Sequence, residues 1–179
     1  MPCGSITPSG QPVETRHLVV MGVTGVGKTA VARLLAAELD LTLAEGDDFH
    51  PTENVAKMSQ GIPLTDADRQ PWLEALADWT LQQRRANKST VMTCSALRRS
   101  YRDVLRAAAP ATFFVHLTGE EDLIRVRMEA RRHFMPPTLL HSQLAILEPL
   151  EPDELGVSVD VSAPLDEVVD RIVTALPTA

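Results

Sequence analysis

The sequence predicts an α/β fold, a doubly wound five-stranded parallel sheet with helices on both faces. Three observations predict it. Five short apolar runs alternate with helical segments from His17 onward. The first run opens into a glycine-rich turn, Gly22-Val23-Thr24-Gly25-Val26-Gly27-Lys28-Thr29. That turn lies between a strand and a helix, the setting in which backbone N–H groups and a helix N-terminus can hold phosphate.

The elements follow in order. Residues 17–21, His-Leu-Val-Val-Met, form a buried strand. The turn fits G-x-x-x-x-G-K-[ST], so the sheet is of the P-loop NTPase type. Residues 30–39 are helical, with Val31, Leu34, Leu35 and Leu39 at one spacing. Leu41-Thr42-Leu43-Ala44 is the second strand, ending in the acidic loop Glu45-Gly46-Asp47-Asp48-Phe49-His50-Pro51. A short helix over 52–59 precedes Gly61 and Pro63, and a long one begins at the cap Thr65-Asp66 and runs to about 87. Its buried stripe is read as Leu73, Leu76, Ala77 and Leu81, with Trp72 and Trp79 as packing residues. Residues 90–94 are the third strand, followed by a helix to 109. A fourth strand covers 111–117, and a helix opened by Gly119-Glu120-Glu121 runs to about 131. A basic, Pro-rich break at 131–137 leads to a helix over 138–147. The last strand is 157–161, and Pro164 starts a terminal helix.

Length and composition set bounds. The 179 residues suit one domain, expected over 17–179, behind a disordered or loosely attached tail at 1–16 rich in proline and glycine. No apolar run reaches membrane-spanning length and no signal-peptide core is visible, so a cytoplasmic protein is expected. Cys3 and Cys94 show no disulfide or zinc spacing and read as reduced thiols. A net charge of −7 argues against nucleic acid as partner. Fourteen arginines stand against three lysines, and the groups at 98–102 and 125–132 read as local anion sites because the guanidinium fork suits carboxylate and phosphate oxygens.

The turn supplies the chemistry of phosphoryl transfer. Its residues 22–29 wrap the nucleotide phosphates, Lys28 reaches the outer phosphates, and the Thr29 hydroxyl ligates Mg²⁺. No acidic residue ends the third strand, which shifts attention to the loop after the second. Asp47 is assigned to orient the acceptor hydroxyl and take its proton, with Glu45 near the waters of Mg²⁺. Asp48 is a rival for either role, since spacing does not say which carboxylate faces inward. His50 either holds the loop or touches substrate. Arg127 and Arg131, four apart on one helix face before the break, suit a lid over about 125–147 that closes on the nucleotide and stabilises transferring charge.

Several blocks together resemble the gluconokinase family: Gly-Asp-Asp-Phe-His-Pro at 46–51, Asn54-x-x-Lys57-Met58, and Pro63-Leu64-x-Asp66-x-Asp68-Arg69-x-Pro71-Trp72-Leu73. Cys94-Ser95-Ala96-Leu97-Arg98-Arg99-x-Tyr101-Arg102-Asp103, His133-Phe134-Met135-Pro136 and Ser142-Gln143 belong to the same pattern. The resemblance covers residue 17 to the end. It implies ATP-dependent phosphorylation of D-gluconate at its 6-hydroxyl, a shikimate-kinase-like architecture with a mobile lid, and often a homodimer. It further implies that Lys57, Arg98 and Arg102 hold the carboxylate and hydroxyls of gluconate, that Asp47 faces the 6-hydroxyl, and that His133 and Gln143 complete the pocket as the lid closes.

The chain departs from that pattern at the lid. Members commonly read Arg-Lys-Gly-His-Phe, whereas this chain reads Arg131-Arg132-His133-Phe134, one residue fewer and without glycine. Another small-molecule kinase of the same architecture, such as a shikimate kinase, is the nearest competing reading, and the Asp-Arg-x-Pro-Trp-Leu block disfavours it. A P-loop protein that binds ATP without turnover is the competing reading from a different class.

Overall fold

The computed structural model describes residues 15–130 and 138–178. Arg131, His133 and the basic break around them lie outside the described residues, as do Cys3 and most of the expected tail.

Five strands, β1 (His17–Met21), β2 (Thr42–Glu45), β3 (Thr90–Thr93), β4 (Phe113–Thr118) and β5 (Gly156–Asp160), form one sheet in the order β2-β3-β1-β4-β5. Every pairing is parallel. The helices are α1 (Lys28–Glu38), α2 (Thr52–Ser59), α3 (Asp66–Arg85), α4 (Arg99–Ala108), α5 (Glu121–Ala130), α6 (Thr138–Ile146) and α7 (Leu165–Ala175). Strand order reverses direction beside β1, and right-handed crossovers therefore send α1 to one face and α3 and α4 to the other. The packing agrees: α1 lies against α7, and α3 against α4.

The central strands are buried and largely apolar because both faces are covered. β1 is buried from end to end, and Leu18, Val20, Met21, Val91, Phe114 and Val115 belong to one continuous core. A reversal of strand order leaves a crevice at the carboxyl edge of the sheet, which is where this fold class collects its ligands.

Two helix faces differ from the periodicity. In α1 the buried residues are Val31, Ala32 and Leu35, while Leu34 is exposed. In α3 the stripe is Arg69, Trp72, Leu73, Leu76 and Thr80; Ala77 and Leu81 are only half-buried. The long helix turns a charged residue and an indole inward because it packs over the acidic turn after β2 as well as over α4. Its start is as expected, a reciprocal capping box in which Thr65 accepts from the Asp68 N–H and Asp68 accepts from the Thr65 N–H. β4 begins two residues later than its apolar run, since Thr112 turns back to donate both N–H and hydroxyl to the Ala109 carbonyl.

Candidate active site

The phosphate loop is built by glycines at conformations other residues resist. Gly25 has φ +77° and Gly27 φ +111°, and a Cβ on Gly25 would sit 2.2 Å from Met128 Cγ of α5. Gly27 is the N-cap of α1 without a side-chain cap, and the first turn carries no acidic residue. The opening N–H groups of α1 are thus left for an anion. The Gly22 N–H donates to the Ser95 carbonyl, tying the loop to the end of β3.

Lys28 bends across the loop. Its ammonium donates to the carbonyls of Gly22 (3.0 Å) and Val23 (2.8 Å), leaving a third proton for the cavity it lines. Burial lowers its pKa below the usual lysine value, opposed by the carboxylates of Asp47 and Glu45. The neighbouring Cys94 thiol is buried and pushed up to about 12, so it stays protonated and unreactive.

The acidic residues are sorted by the turn after β2. Residues 46–49 form a 3-10 turn, tied by the Gly46 N–H to the Thr93 hydroxyl (3.0 Å) and by the Trp72 indole N–H to the Gly46 carbonyl (2.7 Å). A Cβ on Gly46 would lie 2.0 Å from the Thr93 carbonyl, so only glycine allows the turn to press against β3. This geometry makes Asp47 a wall of the cavity with Lys28 and His50, whereas Asp48 is not among the lining residues.

Glu45 stands beneath. Its Oε2 accepts from the hydroxyls of Thr29 (3.0 Å) and Thr93 (2.9 Å), while Oε1 is buried, has no hydrogen-bond partner among the described residues, and lies 3.9 Å from Arg33 Nε. A carboxylate oxygen without a hydrogen bond, beside a loop hydroxyl, fits an octahedral cation that keeps most of its waters. Among the described residues no group of three or more His, Cys, Asp or Glu could hold a metal by itself.

His50 stacks on Trp72, with ring centroids 4.2 Å apart and planes inclined by 14°. Burial holds it down to about 4, against the pull of Asp47 and with some help from Arg69. The Asn54 amide donates to the Asp68 carbonyl at 2.7 Å, and the same nitrogen lies 3.4 Å from His50 Nδ1. That assignment makes Nδ1 the acceptor and leaves the proton on Nε2.

The predicted cations divide. Arg127 lines the cavity, with one guanidinium nitrogen donating to the Val161 carbonyl at 2.9 Å. Gln143 also lines it, and its Oε1 accepts from the Thr24 N–H at 2.7 Å. Lys57 and Arg98 are not among the lining residues. Lys57 is paired with Asp68 at 2.7 Å, which holds the Asp68 carboxyl down to about 2, and Arg98 pairs with Asp66 at 2.9 Å.

Arg102 corrects the expectation of a substrate contact. It is fully buried, and all five of its donors are used inside the protein. Nε and Nη2 clasp Glu154 at 2.6 and 2.7 Å; the remaining protons go to the carbonyls of Ala96, Glu148 and Pro149. Arg99 likewise pairs with Glu151 and Asp153. The arginine group at 98–102 is therefore a clamp on the protein's own carboxylates, not a site for a foreign anion.

Arg69 was not among the candidates and belongs with them. It is buried, lines the cavity, and uses only Nη1 among the described residues, donating to the Leu64 carbonyl (2.6 Å) and toward the Tyr101 hydroxyl (3.3 Å). The guanidinium carbon lies 5.5 Å from the Tyr101 ring centre, and Tyr101 donates to Asp66. The Nε and Nη2 edge is left for a ligand. A sequence signal existed: Arg69 is three residues before Trp72 and four before Leu73, a charge on the buried stripe.

No protein-family model matches the chain. It is 46% identical over 162 residues to a gluconokinase of Gluconobacter oxydans, covering 90% of this chain and 91% of that one. It superposes on a sugar kinase from Janibacter with a TM-score of 0.87 at 52% identity, over 90% of this chain and 94% of that one. A crystal structure of a gluconokinase from Sinorhizobium meliloti gives 0.82 at 44%, over 89% and 90%. Shikimate kinase from Aquifex aeolicus shares the fold, with a TM-score of 0.54 at 15% identity, over 89% of this chain and 94% of that one. With a phosphate loop, a facing carboxylate and relatives of this closeness over nearly the whole described length, the chain belongs to the gluconokinase family.

Proposed function

We propose that this protein transfers the terminal phosphoryl group of ATP to the 6-hydroxyl of D-gluconate, giving ADP and 6-phosphogluconate. The observation that carries the reading is that Lys28 and Asp47 line one cavity that Arg69 also lines. Loop N–H groups and Lys28 hold the phosphates. Thr29 and Glu45 would hold Mg²⁺, which when bound would supply positive charge at the phosphate oxygens. Asp47 orients the hydroxyl and accepts its proton as the new O–P bond forms and the bond to the departing ADP oxygen breaks. Arg127 offers its unused donors to the transferring group.

Arg69 takes the substrate carboxylate. An acidic protein needs a focused positive site to hold an anionic substrate, and Arg69 offers an unpaired edge of its fork within a largely enclosed wall. His50, neutral and held by Trp72, donates from Nε2 to a substrate hydroxyl. The resemblance gave Lys57 and Arg98 that work; their pairing with Asp68 and Asp66 favours Arg69 instead. In this reading residues 17–179 act as one kinase domain in the cytoplasm, with a homodimer as the assembly to test.

The test is ADP release from Mg·ATP with gluconate, shikimate, glucose or no acceptor. Turnover confined to gluconate is expected. Turnover on shikimate alone would overturn the acceptor assignment, and ATP binding without turnover on any acceptor would favour the regulatory reading.

A further inference from the structure

Helix α6 touches both halves of the cavity. One turn of it separates two contacts. Leu139 is buried in a small apolar cluster with Met58 of α2 and Leu64, both of which line the acceptor side. Gln143, four residues on, accepts the Thr24 N–H of the phosphate loop at 2.7 Å. Residues four apart share a helix face, so the two contacts move together.

The far end of α6 is fixed. The chain leaving it is tied by the Glu148 N–H to the Leu97 carbonyl at 2.7 Å, and the Arg99 N–H donates to the Glu148 carboxylate at 2.7 Å. Arg102 takes the carbonyls of Glu148 and Pro149. Leu140, beside Leu139, is buried in the main core, so the helix is held along its length and carries both contacts as one piece.

The polar contact is specific. Thr24 is 4% exposed, and its hydroxyl is buried with no partner. Its N–H is satisfied by a side chain 119 residues away. An apolar residue of the same length at position 143 would pack equally well and leave that N–H unpaired.

We propose that Gln143 is a positioning residue that ties the nucleotide loop to the acceptor wall, so that filling either subsite raises affinity for the other. A nucleotide that orders the loop orders Thr24, through it Gln143, and so seats Leu139 on Met58 and Leu64. An acceptor packed beneath Leu139 acts in the reverse sense, and linkage requires the two effects to be equal. The inference rests on the nucleotide and acceptor assignments above.

The experiment titrates Mg·ADP and D-gluconate separately, and each again with the other at saturation, in wild type and Gln143→Met. Wild type is expected to show a reciprocal gain of about fivefold or more. In Gln143→Met the gain falls to near one; it is read as the ratio of each ligand's affinity with and without the other, so a loss of single-ligand affinity or of stability from the unpaired Thr24 N–H does not imitate it. Undiminished coupling in the variant overturns the proposal, as does a wild type whose two ligands bind independently. A wild type that binds nucleotide but never gluconate overturns the acceptor reading, and the coupling with it. Amide hydrogen exchange adds a measurement that needs no variant: the Thr24 N–H is protected in wild type, and an unprotected Thr24 refutes the tie.

Discussion

Trp72 donates its indole N–H to the Gly46 carbonyl across 2.7 Å, and that bond links the buried face of α3 to the turn that carries Asp47. The tryptophan also stacks on His50. One side chain therefore fixes both the direction of the acidic turn and the plane of its histidine.

Asp47 is the residue this arrangement aims. Asp47→Asn keeps the shape and removes the proton acceptor, and kcat is expected to fall by about 10²–10⁴-fold. Nucleotide affinity should change little, while Asp48→Asn should retain most activity. Steady-state kinetics with parallel ADP titration check both; near-normal turnover of Asp47→Asn would remove it from the mechanism.

Arg69 gives a substrate-selective prediction. A charge-assisted contact is worth about 1.5–3 kcal/mol, so Arg69→Met should lower kcat/KM for gluconate by roughly 10–150-fold. The loss should appear mainly in the gluconate KM, with KM for ATP near wild type. Equal losses for both substrates would make Arg69 a structural residue of the Tyr101–Asp66 cluster.

Arg102 predicts the opposite pattern. Arg102→Met strands the buried Glu154 carboxylate and should cost on the order of 3–5 kcal/mol of stability. Adding Glu154→Leu removes the stranded charge and should restore most of it. Denaturant unfolding of the single and double variants measures this. A gluconate KM raised in an otherwise stable Arg102→Met would reinstate Arg102 as a substrate contact.

His116 predicts an acid limit. It is 2% exposed, its Nε2 has no partner among the described residues, and burial followed by the Arg102 charge holds it down to about 4 from 6.5. The unfolded chain therefore binds the proton first as pH falls. Its contribution is complete above 6.5 and declines toward 4, by about 2 kcal/mol at pH 5. Unfolding at pH 7 and 5 checks the sign, and the decline should be smaller in His116→Gln.

Glu45 predicts metal dependence. Glu45→Gln should raise the Mg²⁺ concentration for half-maximal rate by roughly 10–100-fold, as loss of an outer-shell partner does. Titration of activity against free Mg²⁺ at saturating ATP decides it, and an unchanged midpoint would leave Glu45 to the Thr29–Thr93 hydrogen bonds alone.

The sequence by itself determined the strands, the helices and the phosphate loop. These depend on neighbours close along the chain: glycines that reach φ of +77° and +111°, an apolar strand before them, and the Thr65–Asp68 box. It brought Thr29, Glu45 and Asp47 to one edge of the sheet because loop residues follow their strands. Only the tertiary structure decided which charged groups meet. Arg102 lies in an arginine-rich stretch that looked fit for a foreign anion, yet it meets Glu154, 52 residues on. Arg69 faces the cavity because α3 rotates Trp72 onto Gly46, and Gln143 reaches Thr24 across 119 residues. Periodicity sets which side of a helix is buried. It does not say what lies opposite, and a buried charge takes its role from that opposite surface.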